Sequence, residues 1–327
     1  MSGEGLQVRD LQVNYHTDDG IVRAVDGASF DVPAGQRLGL VGESGSGKTT
    51  TALALIQMLR APGRVDGGTA IVGGIDLLAL NDQEVREHRL RTVSYIPQGA
   101  MNSLNPVLNI GKQMRNALVD HDIRLSRGEF EDTIARALTG VDLDPRVAKL
   151  YPHELSGGMK QRVCIAMGTL LKPKLIIADE PTSALDVVTQ RQVMENLGQH
   201  QDETGSALIL IGHDMGLMVQ FVHYLAVMYA GRLVEIGTVR DVLGNPRHPY
   251  TKALSESVPR LRHRGELQGV PGVTPSLARL PPGCAFAPRC PYAIERCRIE
   301  RPALDRALGE HRAACHRADE LNREGVA

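Results

Sequence analysis

The segment Gly42-Glu-Ser-Gly-Ser-Gly-Lys48-Thr49 constrains this chain more than any other. It fits G-x-x-x-x-G-K-[ST], whose backbone N–H groups wrap an anion only where a strand leads into the loop and a helix leads out of it. Both flanks are present. Arg37-Leu-Gly-Leu-Val41 is the short apolar run of a buried strand, and Leu53, Leu55, Ile56 and Leu59, with Ala52 and Ala54 between them, predict a helix over Lys48 to Leu59 closed by Pro62-Gly63. Gly42, Gly45 and Gly47 let the loop curl with its amides inward, Ser44 lies within it, and the helix that begins at Lys48 adds a positive N-terminal end. In such a loop Lys48 reaches the β- and γ-phosphates of a nucleotide, and the Thr49 hydroxyl, with Thr50 beside it, is placed for Mg²⁺.

The rest of the chain supplies a matching frame. Leu6, Val8, Leu11, Val13 and Tyr15 mark an early strand; further strands are expected at Thr92–Ile96, Lys174–Asp179, Ala207–Ile211 and Tyr224–Tyr229, with helical patterns at 189–203 and 214–222 between them. Strands alternating with helices predict an α/β fold with a mainly parallel, doubly covered sheet. Between Gln98 and Leu155 the pattern is all helical, with amphipathic stretches near 109–119 and 127–139 and a capping box at Ser126-Arg-Gly-Glu129. After about residue 240 the chain turns Pro- and Arg-rich and lacks long periodic segments.

Composition excludes several functions. A formal net charge of -1 gives no bulk electrostatic support for nucleic-acid binding, and with no Trp and 3% aromatic residues a base-stacking platform is not expected. No apolar run approaches the roughly 18–20 residues needed to span a bilayer, and Met-Ser-Gly-Glu-Gly lacks the basic region and apolar stretch of a signal peptide, so none is expected. The expected place is therefore the cytoplasm, with any membrane association supplied by a partner.

Two later phrases narrow the reading. Leu155-Ser156-Gly157-Gly158 precedes a predicted helix over Ser156 to Leu171, and Leu175-Ile-Ile-Ala-Asp179-Glu180-Pro-Thr-Ser183-Ala-Leu-Asp186 follows it. With the glycine loop, these resemble the ATP-binding cassette (ABC) ATPases and no other P-loop NTPase family, over nearly the whole chain. The resemblance implies an ABC-type nucleotide-binding core at 1–98 and 162–240 that includes an N-terminal antiparallel sheet, a helical signature subdomain at 99–161, and a small irregular, cysteine-containing domain at 241–327. It implies that Asp179 meets the Mg²⁺ shell, that Glu180 positions or deprotonates the attacking water, that Gln98 touches both Mg²⁺ and that water, and that His213 contacts the γ-phosphate. It implies that Tyr15 stacks on the adenine. Ser156, Gly157 and Gly158 would cap ATP held by a second cassette, with Asp186 in the segment that crosses to it. Gly99 and Met159 depart from the commoner family residues, an acid and a glutamine.

Asn245-Pro-Arg-His-Pro249-Tyr250-Thr251 and Met101-Asn-Ser-Leu-Asn-Pro106 resemble the dipeptide and oligopeptide importers, a branch that also holds nickel importers. The implied function is ATP hydrolysis driving peptide import, with nickel or another small solute as the alternative cargo and a soluble, non-transport cassette as the alternative class. The implied partners are a second, related ATPase, two transmembrane permease subunits and, through the complex, an extracytoplasmic substrate-binding protein, with the chain on the cytoplasmic face of the membrane. Only 57 residues lie between Gln98 and Ser156, too few for the coiled coils of DNA-repair relatives.

Cys284, Cys290, Cys297 and Cys315 are separated by 5, 6 and 17 residues. No gap matches the close pair usual for zinc; four thiolates also suit a [4Fe–4S] cluster, and the same importer branch includes members with such a cluster. Cluster, zinc and ligand-free thiols all remain open on spacing alone, and the cluster is the expectation carried forward. Cys164 reads as a small core residue.

Overall fold

A computed structural model describes residues 5–99, 102–183, 185–212, 215–256, 270, 272–304 and 311–324. The strands are β1 (Leu6–Thr17), β2 (Gly20–Val32), β3 (Arg37–Val41), β4 (Gly63–Val72), β5 (Ile75–Asp76), β6 (Val93–Ile96), β7 (Leu175–Asp179), β8 (Ala207–Ile211), β9 (Tyr224–Tyr229), β10 (Arg232–Thr238) and β11 (Arg312–Ala313). The chain divides into two compact units, one of Met1–Leu6, Val32–Gln36 and Ile71–Ile209, the other of Gln7–Asp31, Arg37–Ala70 and Leu210–Ala327.

In the first unit β7 lies between β6 and the Ala207–Ile209 part of β8. β6 and β7 are parallel, with Val93 opposite Leu175 and Ile96 opposite Ala178. Every residue of β7 and β8 is buried, the signature of strands covered on both faces. The expected helical stretch is present as Ile110–Val119 and Arg127–Thr139, which pack on each other and on the helix Gly157–Thr169. Ser126 and Glu129 close the anticipated capping box, Ser126 Oγ accepting from the Glu129 N–H and Glu129 Oε2 from the Ser126 N–H. The helix expected to run from Ser156 to Leu171 starts one residue later, because Ser156 is its N-cap, and stops at Thr169, ahead of Lys172 at φ 52.

In the second unit the order is β3, β9, β10, β11. β3 runs parallel to β9, Leu38 opposite Tyr224, and β9 and β11 flank β10 antiparallel. β2, β1 and β4 form a separate sheet. The buried face of β1 changes parity between Val8 and Leu11; Asp10, at φ 47, supplies the extra residue of a bulge, and its N–H donates to Ser29 Oγ. The helix after the glycine loop is Lys48–Leu55, four residues shorter than the apolar pattern predicts, because Gln57 turns left-handed at φ 50 and ends it.

The C-terminal segment is tied to β10 by a buried acid. Glu235 is fully buried, and its carboxylate accepts from the backbone N–H groups of Arg247 and His248 and pairs with His311 Nε2 at 2.7 Å. Three partners satisfy a polar group that would be costly to bury unpaired. Burial also drives the His248 pKa down to about 3. Among the described residues no helix is long and apolar enough to cross a membrane.

Candidate functional site

The glycine loop is shaped by positions that reject a side chain. Gly42 sits at φ 148, and a Cβ there would lie 2.2 Å from the Met228 carbonyl oxygen. Gly47, the left-handed N-cap of the helix Lys48–Leu55, has φ 104, and a Cβ added to it would fall 2.4 Å from the Ala24 carbonyl oxygen. Between them Ser44 and Gly45 are exposed. Lys48 is 8% exposed, and its Nζ donates to the carbonyl oxygens of Gly42 and Glu43, both at 2.8 Å, so the ammonium spans the mouth of the loop. Thr49 is exposed and Thr50 half-buried. Thr51, which sequence reasoning did not single out, donates its hydroxyl to Gly47 O at 2.9 Å and braces the turn. Tyr15 on β1 is half-buried against Gly63, where a Cβ would meet the ring at 2.7 Å.

In the other unit, strand register assembles a second group. Since Ile96 lies opposite Ala178, the chains leave β6 and β7 in step, and Gln98 and Glu180 come two residues later on each. Gln98 Nε2 donates to Glu180 Oε2 at 2.7 Å. Glu180 holds φ 46, a left-handed conformation uncommon for a non-glycine residue and often found where function fixes the backbone. Asp179 is 1% exposed at the buried strand end, and the Tyr95 hydroxyl donates to its Oδ2 at 3.1 Å. Burial, then the adjacent Asp179 charge, pushes the Tyr95 pKa up, so the phenol stays a donor. Sequence reasoning missed Tyr95; its place one residue before Ile96 on β6 was the available signal.

Two helix starts meet in the same unit. Ser156 Oγ caps the helix Gly157–Thr169 by accepting from the Met159 N–H at 3.3 Å. Asp186 caps the helix Val187–Thr204, accepting from the Thr189 N–H at 3.0 Å and hydroxyl at 2.6 Å. A Cβ on Gly158 would fall 2.6 Å from Thr189 Cγ2, so a larger residue here would have to push the Thr189 side chain aside. Val187 and Val188, directly after Asp186, are 79% and 78% exposed. His213 lies outside the described residues.

The four C-terminal cysteines all line one small cavity, which His248 and Phe286 also wall. The Cys284 N–H donates to Cys297 O at 2.8 Å. Burial, followed by effects that include the neighbouring sulfurs, raises the thiol pKa values of Cys284 and Cys290 and pushes Cys315 up to about 12. Among the described residues no group of three or more His, Cys, Asp or Glu side chains is placed to hold a metal ion as it stands. The expected ligand set is thus gathered around one space, without the geometry of a formed metal centre. Cys164 is buried in the helix Gly157–Thr169, and burial lifts its thiol to about 11, as suits a core cysteine.

Comparison with known proteins places these features. Residues 25–183 match the family described as ABC transporter, and residues 234–297 the family described as Oligopeptide/dipeptide transporter, C-terminal region. The chain is 44% identical to the Oligopeptide transport ATP-binding protein OppD of Escherichia coli K12, over 97% of this chain and 94% of that one. It is also 44% identical to OppD of Salmonella typhimurium, over 97% and 95%, and 42% identical to the Probable peptide ABC transporter ATP-binding protein y4tR of Sinorhizobium fredii, over 97% and 96%. Among solved structures, the dimeric ATP-binding cassette MJ0796 in a post-hydrolysis state with ADP and Pi matches with a TM-score of 0.64 at 24% identity, over 72% of this chain and 99% of that one, a likeness of fold.

Proposed function

This chain belongs to the ABC transporter ATPases, and from that premise we propose that it hydrolyses ATP to drive import of di- and oligopeptides across a membrane. The observation that carries the hydrolytic reading is the Gln98–Glu180 hydrogen bond beside the buried Asp179: it holds a carboxylate oriented by an amide at the end of a buried strand, the arrangement a water-activating base requires. The peptide reading is supported by the oligopeptide/dipeptide match that follows the ATPase match in one chain.

In this mechanism the loop amides and Lys48 bind the phosphates, and Ser44 and Thr50 add hydroxyls. Thr49, Gln98 and Asp179 supply oxygen donors, which suit Mg²⁺; the bound ion would offset charge on the transferred phosphoryl group. Glu180 accepts the proton of the attacking water, His213 contacts the γ-phosphate, and Tyr15 packs against the adenine. Ser156, Gly157 and Gly158 offer a capped helix N-terminus to the ATP of a second cassette. Asp186, Val187 and Val188 form part of the surface that this partner covers, which accounts for two exposed valines in succession. We assign 1–98 and 162–240 to the nucleotide-binding core, 99–161 to the signature subdomain and 241–327 to the C-terminal domain. Two permease subunits hold the chain at the membrane and an extracytoplasmic binding protein delivers cargo. The test is ATP hydrolysis by the complex reconstituted with its permeases and binding protein. Stimulation several-fold by peptide is expected; stimulation by a nickel chelate and none by peptide would move the cargo to the alternative.

We also propose that Cys284, Cys290, Cys297 and Cys315 hold a [4Fe–4S] cluster. Their shared cavity and all-thiol donor set support this, and the cluster would cross-link a segment poor in apolar periodicity. Because burial raises the thiol pKa values, ligation must release protons and is favoured as pH rises. Anaerobically purified protein should contain about four irons per chain, as four-thiolate ligation of this cluster implies. Stoichiometric zinc without iron, or neither metal, would overturn it.

A further inference from the structure

Position 43 is one that the phosphate-loop pattern leaves open, and it carries an acid in a loop built to hold a polyanion. That acid is grasped from 246 residues away. Arg289 Nη1 donates to Glu43 Oε2 at 2.8 Å and Nη2 to Oε1 at 2.9 Å, a two-pronged pair, and the Thr274 hydroxyl donates to the same Oε2. The Glu43 backbone N–H donates to the Tyr250 hydroxyl at 2.8 Å.

The Arg289 side chain is only 5% exposed and is held in turn, donating to Val270 O at 2.9 Å and to the Tyr229 hydroxyl at 3.3 Å. Tyr229, Tyr250 and Phe286 form an aromatic cluster with centroids 4.7–5.5 Å apart, which fixes both polar arms. Glu43 also lends its carbonyl oxygen to Lys48. The contacts therefore run from the C-terminal segment through Glu43 to the lysine of the loop.

We propose that Arg289 is a positioning residue for the nucleotide site: by neutralising Glu43 and drawing its carboxylate aside, it makes ATP binding conditional on the C-terminal segment being docked. With the segment in place the loop presents amides and Lys48. With Arg289 withdrawn, an uncompensated carboxylate remains in a loop that must accept phosphates. Burial would raise the Glu43 pKa, but the bonds from Arg289 and Thr274, together with the Arg289 and Lys48 charges, outweigh it and hold the carboxyl below the usual carboxylate range, so the docked pair is ionic. The inference rests on the phosphate loop being the ATP site.

The experiment is an equilibrium titration of the full chain with a fluorescent ATP analogue and Mg²⁺, alongside thermal melting without nucleotide. Arg289→Ala is expected to weaken binding about tenfold, the scale of a charge-assisted hydrogen bond lost at a partly buried site. Adding Glu43→Gln in the same chain is expected to bring the affinity back to within about threefold of wild type, since the repelling charge is then gone. An Arg289→Ala chain that binds like wild type, or a double variant as weak as the single one, overturns the proposal; the second result would mean that the pair only holds the fold. If Arg289→Ala fails to fold, Glu43→Gln alone decides: binding at least as tight as wild type supports the interlock and weaker binding overturns it. Lys48→Ala serves as the control for the site itself. Loss of binding there, with Arg289→Ala unaffected, removes the interlock and leaves the ATP site standing; normal binding by Lys48→Ala removes both.

Discussion

The phosphate loop and the cysteine cavity belong to the same unit, yet they are built on opposite principles. The loop is nine consecutive residues, Gly42 to Thr50, whose conformation is dictated by glycines at φ 148, 75 and 104 and whose donors are largely backbone. The cavity gathers four side chains spread over Cys284 to Cys315, and nothing local to any one of them requires the others. A backbone-made site is written into contiguous sequence, because each glycine answers to a steric limit at its own position. A side-chain-made site depends on how a long segment folds back, so spacing left cluster, zinc and free thiols open, and the fold brings the thiols together without setting a metal geometry.

The contrast can be broken most directly at Gly42. A methyl group there meets the Met228 carbonyl oxygen, and the φ of 148 is essentially closed to alanine. Gly42→Ala is expected to lower stability by about 2 kcal/mol or more and to weaken ATP binding about a hundredfold, as a strained backbone position lost from a preformed site implies. Melting and nucleotide titration check both, and near-normal binding would mean that the loop geometry is not what holds the phosphates. A smaller effect should sharpen the other side. Cys315→Ser is expected to lower stability by about 1 kcal/mol, an ordinary single-site loss, while ATP affinity stays within about twofold of wild type. A tenfold loss of affinity would mean that the cavity keeps Arg289 docked on Glu43, and would end the contrast.

The same division explains what could be read in advance. β3, β8 and β9 have the bounds expected of them, because buried parallel strands are short apolar runs and each of these runs out at or next to a glycine. The helices at 110–119 and 127–139 follow from their apolar spacing and caps. The overlong helix after the loop shows the limit of periodicity: Ile56 and Leu59 continue the pattern, but the left-handed Gln57 turns the chain away. Asp179 and Glu180 were legible as two acids at the end of an apolar strand. That Gln98 bonds Glu180 depended on the β6–β7 register, which no local signal specifies. Tyr95 on Asp179, Arg289 on Glu43 and the three partners of Glu235 are pairings between distant segments, each made by tertiary packing. His213, whose role rests on family resemblance, falls outside the described residues.

The central claim is that binding and hydrolysis of ATP are carried by different residues, Lys48 in the phosphate loop and Glu180 at the end of β7. The most direct test measures nucleotide affinity and steady-state hydrolysis side by side, in the assembled transporter, for Lys48→Ala and Glu180→Gln. Lys48→Ala should lose affinity. Glu180→Gln keeps the side chain's size and a hydrogen-bonding carbonyl oxygen, so it should bind ATP as wild type does while turnover falls about 10²–10³-fold, the range for losing a general base. Hydrolysis at the normal rate by Glu180→Gln would contradict the account.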